Sequence, residues 1–218
     1  HGATILGGVL NGVAQSTTHS LGRVVGATID NSTILRAEGL SDCDIGSSTL
    51  GGTALNGNDF GYLADSRVND SIIWVRSDDR ITGNDLGDSH VRVWGQDSGG
   101  NASGLMVISG NNFDNILSGQ TEALSVQMST SSYWSLVVEN NTFIVQSSDP
   151  QAISVGGTPG GSYQYQSLLI SGNTFTKGQR AINYTGSLRT VVDGNVTRST
   201  PLGVSASGNL QTGQNFNF

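Results

Sequence analysis

One short phrase recurs through this chain at wide intervals: apolar, any residue, Gly or Asn, Asn, polar, apolar. It reads LNGNDF at 55–60, ITGNDL at 81–86, ISGNNF at 108–113, VENNTF at 138–143 and ISGNTF at 170–175. With the fourth residue in register, Ser32, Asn58, Asn84, Asn111, Asn141, Asn173 and Asn195 form a series. The intervals are 26, 26, 27, 30, 32 and 22 residues. Self-similarity at this period means stacked structural units, and the unequal intervals exclude a strict short-repeat solenoid.

The columns say what the unit is. The first position holds Ile29, Leu55, Ile81, Ile108, Val138, Ile170 and Val192; the sixth holds Ile34, Phe60, Leu86, Phe113, Phe143, Phe175 and Thr197. The third holds only Gly or Asn: Asn31, Gly57, Gly83, Gly110, Asn140, Gly172 and Gly194. These are the residues that enter left-handed backbone conformations cheaply, so the chain turns the same corner once per repeat. An asparagine after each corner can stack amide on amide along an axis. Between corners lie runs such as SIIWV, VRVW, ALSVQM and AISV, which read as strands. Strands joined by one recurrent corner make a coil of parallel β-strands, with successive turns ~4.8 Å apart.

The Gly-Asn or Asn-Asn corner with its asparagine column resembles the parallel β-helix of pectate lyases, polygalacturonases and phage tailspikes (the pectin lyase-like superfamily). The resemblance covers residues 24 to 200. It implies an all-β fold: a right-handed single-stranded parallel β-helix of about seven coils with an Asn ladder. Residues 1–218 read as a single domain, a fragment of a longer chain, with 196–218 as a last partial coil or cap. In such coils the first strand begins shortly after each corner. That places SDCDI at 41–45, SIIWV at 71–75, HVRVW at 90–94, ALSVQ at 123–127, AISV at 152–155 and AINY at 181–184 on one sheet. Alternation then turns Val91, Val93, Leu124, Val126, Ile153 and Val155 inward, and Trp74 with them.

Charge excludes several partners. A net charge of −7, with Lys177 as the only lysine, argues against nucleic acid, which requires a basic stripe. No apolar run is long enough for a membrane-spanning helix, so no membrane insertion is expected. Cys43 is alone, so no intrachain disulfide forms.

In the enzymes of this resemblance, substrate lies across the outer face of the first strand. Carried over by column, the outward residues are Asp42 and Asp44, Ser71 and Ile73, then His90, Arg92 and Trp94, then Ser125 and Gln127, with Glu122 entering that strand. Glycoside hydrolysis takes two carboxylates, and Asp42 and Asp44 are the adjacent pair. Arg92 suits the carboxylate of a uronic acid, and His90 suits acid–base work near neutral pH. Asp42, Asp44, His90, Arg92 and Glu122 are therefore the catalytic candidates; Trp94, Ser125, Gln127 and Tyr163 are the substrate-binding ones. No cofactor is implied, save the option of Ca²⁺ at Asp78 and Asp79 with Asp59 or Asp85. GGTPGGSYQY at 156–165 has no lysine and no following helix, so it is not a phosphate loop.

The functional expectation is a polysaccharide-recognising domain of a tailspike or secreted carbohydrate-active protein, extracellular or on a virion surface. Cleavage as glycoside hydrolase or lyase is left open, and a homotrimer is the expected assembly. The alternative is a non-catalytic structural or adhesive β-helix of a virion or cell-surface spike.

Overall fold

The computed structural model describes residues 2–15, 20–51, 61–75, 78–94, 103–127, 133–146, 148, 151–156, 167–185, 189–198, 200–202 and 210–217. Every strand pairing is parallel, and no helix occurs among the described residues. The chain is a parallel β-helix.

Each full turn runs through three sheets, here A, B and C. Among the described residues sheet A stacks ten strands, from Ile5–Leu6 to Leu210–Thr212. Sheet B follows the asparagine corner, and sheet C follows a second corner. B and C join into one sixteen-stranded sheet because Asp85–Trp94 runs through both.

The asparagine column is present and continuous. Asn84, Asn111, Asn141 and Asn173 each donate Nδ2 to the Oδ1 of the next asparagine, at 2.9 to 3.0 Å, and Asn195 does the same to Asn215. The backbone amides of Asn84, Asn111, Asn141 and Asn173 donate to the same oxygens, at 2.9 to 3.0 Å. Asn84, Asn111, Asn141, Asn173 and Asn195 are all buried, so this pairing removes the desolvation penalty that lone buried amides would carry. The residue before each asparagine holds positive φ: Gly83 68°, Gly110 66°, Asn140 55°, Gly172 63° and Gly194 64°.

Ser32, one of the expected members, does not belong to this column. Going toward the N-terminus it continues from Asn84 to Ser66 and then Cys43, at intervals of 18 and 23 residues. Asp65 and Asp42 make the left-handed turns there, at φ 49° and 53°. Ser32 stands instead on the second corner. The amide of Ser32 donates to Ser48 Oγ, that of Ser48 to Ser71 Oγ, and that of Ser71 to Ser89 Oγ, a serine ladder at 3.0 to 3.3 Å. Asn31, Ser47, Asp70 and Asp88 turn the chain before its rungs. Asn58 lies outside the described residues. The early coils, at 23 and 18 residues, are therefore shorter than the middle ones, at 27 to 32, and among the described residues sheet A counts ten strands where about seven coils were expected. The last asparagine rung is Asn215, 20 residues after Asn195.

The interior is filled by columns of one kind. Ile29, Ile45, Val68, Leu86, Phe113, Phe143, Phe175 and Thr197 form one file through sheet B. Within it Phe113 stacks on Phe143 at 4.4 Å and Phe143 on Phe175 at 5.0 Å, with nearly parallel rings. Such contacts add ~1 kcal/mol each beyond area burial. In sheet C the files are Ile73–Val91–Leu124–Ile153–Ile182 and Val75–Val93–Val126–Val155–Tyr184, all buried.

The expected inward set therefore holds from Val91 onward, but one strand earlier the faces are exchanged. Ser71 and Ile73 are buried and Trp74 points outward. Trp74 pairs with Arg92 and Ile73 with Val91, and a shift of one residue inverts both faces of a strand.

Candidate functional site

Trp74, Arg92 and Ser125 sit side by side on the outer face of sheet C, on three consecutive strands. His90 stands two residues before Arg92 on the same strand, so alternation gives it the same face. Together with Glu122, Gln127 and the backbone at Val93, these residues line a recess of about 140 Å³. The sheet fixes their order and spacing.

His90 is on the outward face and yet only 1% exposed. The cover is the segment 117–122, which leaves the second sheet after Ile116 and re-enters the third at Leu124. The Gln120 amide donates to the Leu117 carbonyl at 2.9 Å across a turn with Gly119 at φ 84°. That turn lowers the Gln120 side chain onto the site. Gln120 Oε1 lies 3.0 Å from His90 Nδ1 and accepts from Arg92 Nη2 at 2.8 Å.

On the other edge of the ring, Nε2 lies 3.0 Å from Ser125 Oγ and 3.8 Å from Glu122 Oε1. The arrangement favours one tautomer. Gln120 Oε1 is already an acceptor, so the proton placed on Nδ1 gives it a second donor, and Nε2 then accepts from the Ser125 hydroxyl.

Burial, with the Arg92 guanidinium beside it, lowers the His90 pKa to about 4; Glu122 and Gln120 pull the other way and lose. At neutral pH the imidazole is uncharged. It is a weak base, screened from solvent, and it acts here as a neutral strut.

Arg92 is held on three sides. Its Cζ lies 5.0 Å from the Trp74 ring centre, a cation–π contact. Nη2 donates to Gln120, and Nε lies against His90 Nδ1 at 3.3 Å, a contact and not a hydrogen bond since Nδ1 carries the proton. Glu122 takes the Thr121 hydroxyl and, at 3.4 Å, the Gln151 amide. The result is a fixed guanidinium with a carboxylate, a hydroxyl and a carboxamide around it.

Of the expected site residues, His90, Arg92, Glu122, Ser125 and Gln127 come together. Asp42 and Asp44 do not join them. Asp42 turns the corner between sheets A and B, and Asp44 opens a strand of sheet B beside Thr28 and Arg67. SDCDI is thus a corner with Cys43 in the asparagine position, not a sheet C strand. Trp94 continues the His90 strand, beside Gln127, but its side chain lies outside the described residues, as does Tyr163. Sequence reasoning missed Gln120 and placed Trp74 in the core.

No three His, Cys, Asp or Glu side chains gather to hold a metal among the described residues. The carboxylates named for calcium serve local bonds: Asp78 accepts from the Leu105 amide, Asp85 accepts from Asn112, and Asp79 is buried. Asp59 lies outside the described residues.

No family model and no curated protein matches the chain. It is similar to two solved structures of QnrB1, a plasmid-mediated fluoroquinolone resistance protein. The trypsin-treated form is 13% identical with a TM-score of 0.33, covering 100% of this chain and 92% of that one. The full-length form is 11% identical with a TM-score of 0.26, covering 96% and 93%. Likeness of that degree carries no argument about function.

Proposed function

We propose that this β-helix recognises polysaccharide, outside the cell or on a virion surface, and seats one sugar unit in the recess around Arg92. The supporting observation is the immobilised guanidinium: Trp74 at its face, Gln120 and His90 behind it, and Ser125, Glu122 and Gln127 around it. Sugars rest their C–H faces on aromatic rings, and Arg presents a planar fork to a carboxylate or to neighbouring hydroxyls. A fork held in place before binding loses less rotamer entropy when the ligand arrives. Kinship with the pectin lyase-like enzymes and tailspikes is part of the same proposal.

Recognition without hydrolysis is the form that the described residues favour. Glu122 is the one carboxylate among them that lines the recess, and both stereochemical routes of glycoside hydrolysis use two. His90, neutral and covered, is poorly placed to exchange protons with a bound sugar.

The test is binding to a panel of neutral and acidic polysaccharides. Wild type should bind a subset, and Arg92→Ala and Trp74→Ala should each weaken binding about tenfold or more, by the loss of roughly 1.4 kcal/mol. Asp42→Ala with Asp44→Ala, on another sheet, should leave it unchanged. A wild type that binds nothing on the panel, or an Arg92→Ala protein that binds as well, removes the proposal. Release of reducing ends that disappears in Glu122→Gln would replace it with a hydrolase, and unsaturated product absorbing in the near ultraviolet with a lyase.

A further inference from the structure

Sheet A carries an outward apolar file that the sugar reading does not use. Strand pairing places Val107, Val137, Leu169 and Val191 next to one another on four consecutive strands. Val191 is 38% exposed, and Leu105, one step away on the first of these strands, is 42% exposed. A shallow groove of about 550 Å³ runs over the C-terminal end of the file, lined by Leu169, Arg189, Val191 and Gln211 among others. Four strands at ~4.8 Å make this file ~15 Å long. Contiguous apolar surface rimmed by polar groups marks an association surface.

The rims identify the occupant. The strand Arg189–Asp193 alternates exposed and buried, so Arg189, Val191 and Asp193 face outward with the apolar residue between opposite charges. The strand Ser167–Ser171 presents Ser167, Leu169 and Ser171 in the same way. Next to it, Ser135 and Glu139 flank Val137. Every one of these rows is centred on the apolar file.

We infer that two copies of this chain pair face to face through sheet A, about a two-fold axis parallel to the coil axis. Such an axis lays each strand antiparallel over its own copy, so a residue two places before the centre meets the residue two places after it. Val191 then meets Val191 and Leu169 meets Leu169. Arg189 meets Asp193 of the second copy on both sides, Ser135 meets Glu139, and Ser167 meets Ser171. A two-fold lying across the sheet would keep the apolar contact but set Arg189 against Leu105, leaving the charges unpaired.

The contact is isologous, like patch on like patch, and closes at two copies. Two copies, not the three that the family resemblance suggested, are what these rows fit. Sheet C stays free on both, so paired copies offer two recesses to one polymer, where the second binding step becomes intramolecular.

Analytical ultracentrifugation at micromolar concentrations tests this without any sugar. Wild type should sediment at twice the 22.6 kDa of one chain. Val191→Glu, at an already exposed position, should give single chains with unchanged circular dichroism. Arg189→Asp should weaken the dimer about tenfold, the scale of losing a rim charge pair, and Arg189→Asp with Asp193→Arg should return it to within about twofold. A wild type at one-chain or three-chain mass overturns the inference. So does a folded charge-reversed pair that fails to restore what the single change lost.

Discussion

His90 shows how one residue can carry a pH signature for the whole fold. In the unfolded chain it titrates near the ordinary 6.5, and in the folded chain near 4. Between those values the unfolded state holds the extra proton, so the unfolded state gains as pH falls. The contribution of His90 is full above about pH 6.5, drains through that window, and is gone near pH 4, a loss of roughly 3 kcal/mol at most. Urea midpoints at about pH 7 and about pH 4.5 should show wild type losing about 2 to 3 kcal/mol more than His90→Gln, which keeps a neutral polar side chain. Equal losses in the two proteins would show that the imidazole stays accessible to protons in the fold. The residue itself was visible in the sequence, since HVRVW alternates. Its burial was not, because Gln120 reaches it from 30 residues away.

At the scale of the element, the corner ladders decide where substitutions hurt. Asn141 is 1% exposed; its Oδ1 accepts from the amide and side chain of Asn111, and its Nδ2 donates to the Ile108 carbonyl and to Asn173. Asn141→Ala orphans buried groups on two neighbouring coils, at about 1 to 3 kcal/mol for each group left unsatisfied, roughly 3 to 5 in all. Asn215 makes the same kind of bonds at a half-exposed rung, where water replaces them, so Asn215→Ala should cost about 1 kcal/mol. Chemical denaturation of the two variants gives the comparison directly. Equal costs would mean that burial does not set the value of a rung. The serine ladder was legible in principle: Asn31-Ser32, Ser47-Ser48, Asp70-Ser71 and Asp88-Ser89 repeat a turn residue before Ser. Ser32 was drawn into the asparagine series because its neighbour Asn31 suits either corner.

Across the whole molecule, each coil contacts mainly the coils above and below it, so stability is close to a sum of neighbour terms. A middle strand such as Asn112–Ile116 is paired on both edges, whereas Ile5–Leu6 and Phe216–Asn217 are paired on one edge among the described residues. Leu6, Val9 and Phe216 are correspondingly exposed. Amide exchange should therefore be slowest along Asn112–Ile116, Thr142–Ile144 and Thr174–Thr176, and faster by orders of magnitude in the outer strands. Uniform protection along the chain would mean that the coils open only together. If the sheet A pairing holds, protection of Val191 and its neighbours should also rise with protein concentration.

What the sequence determined alone was the local repeat: a left-handed residue, an asparagine behind it, and apolar files on either side. Backbone preference and the two-residue period of a strand act over a few residues, so they can be read from a few residues. What only the tertiary structure decided was which corner each early turn occupies, that Trp74 faces out, that Asp42 and Asp44 stand apart from Arg92, and that Gln120 closes over His90. Those depend on how many residues each coil spends between corners and where a loop lands. Loop closure costs so little more with added length that sequence spacing leaves both undetermined.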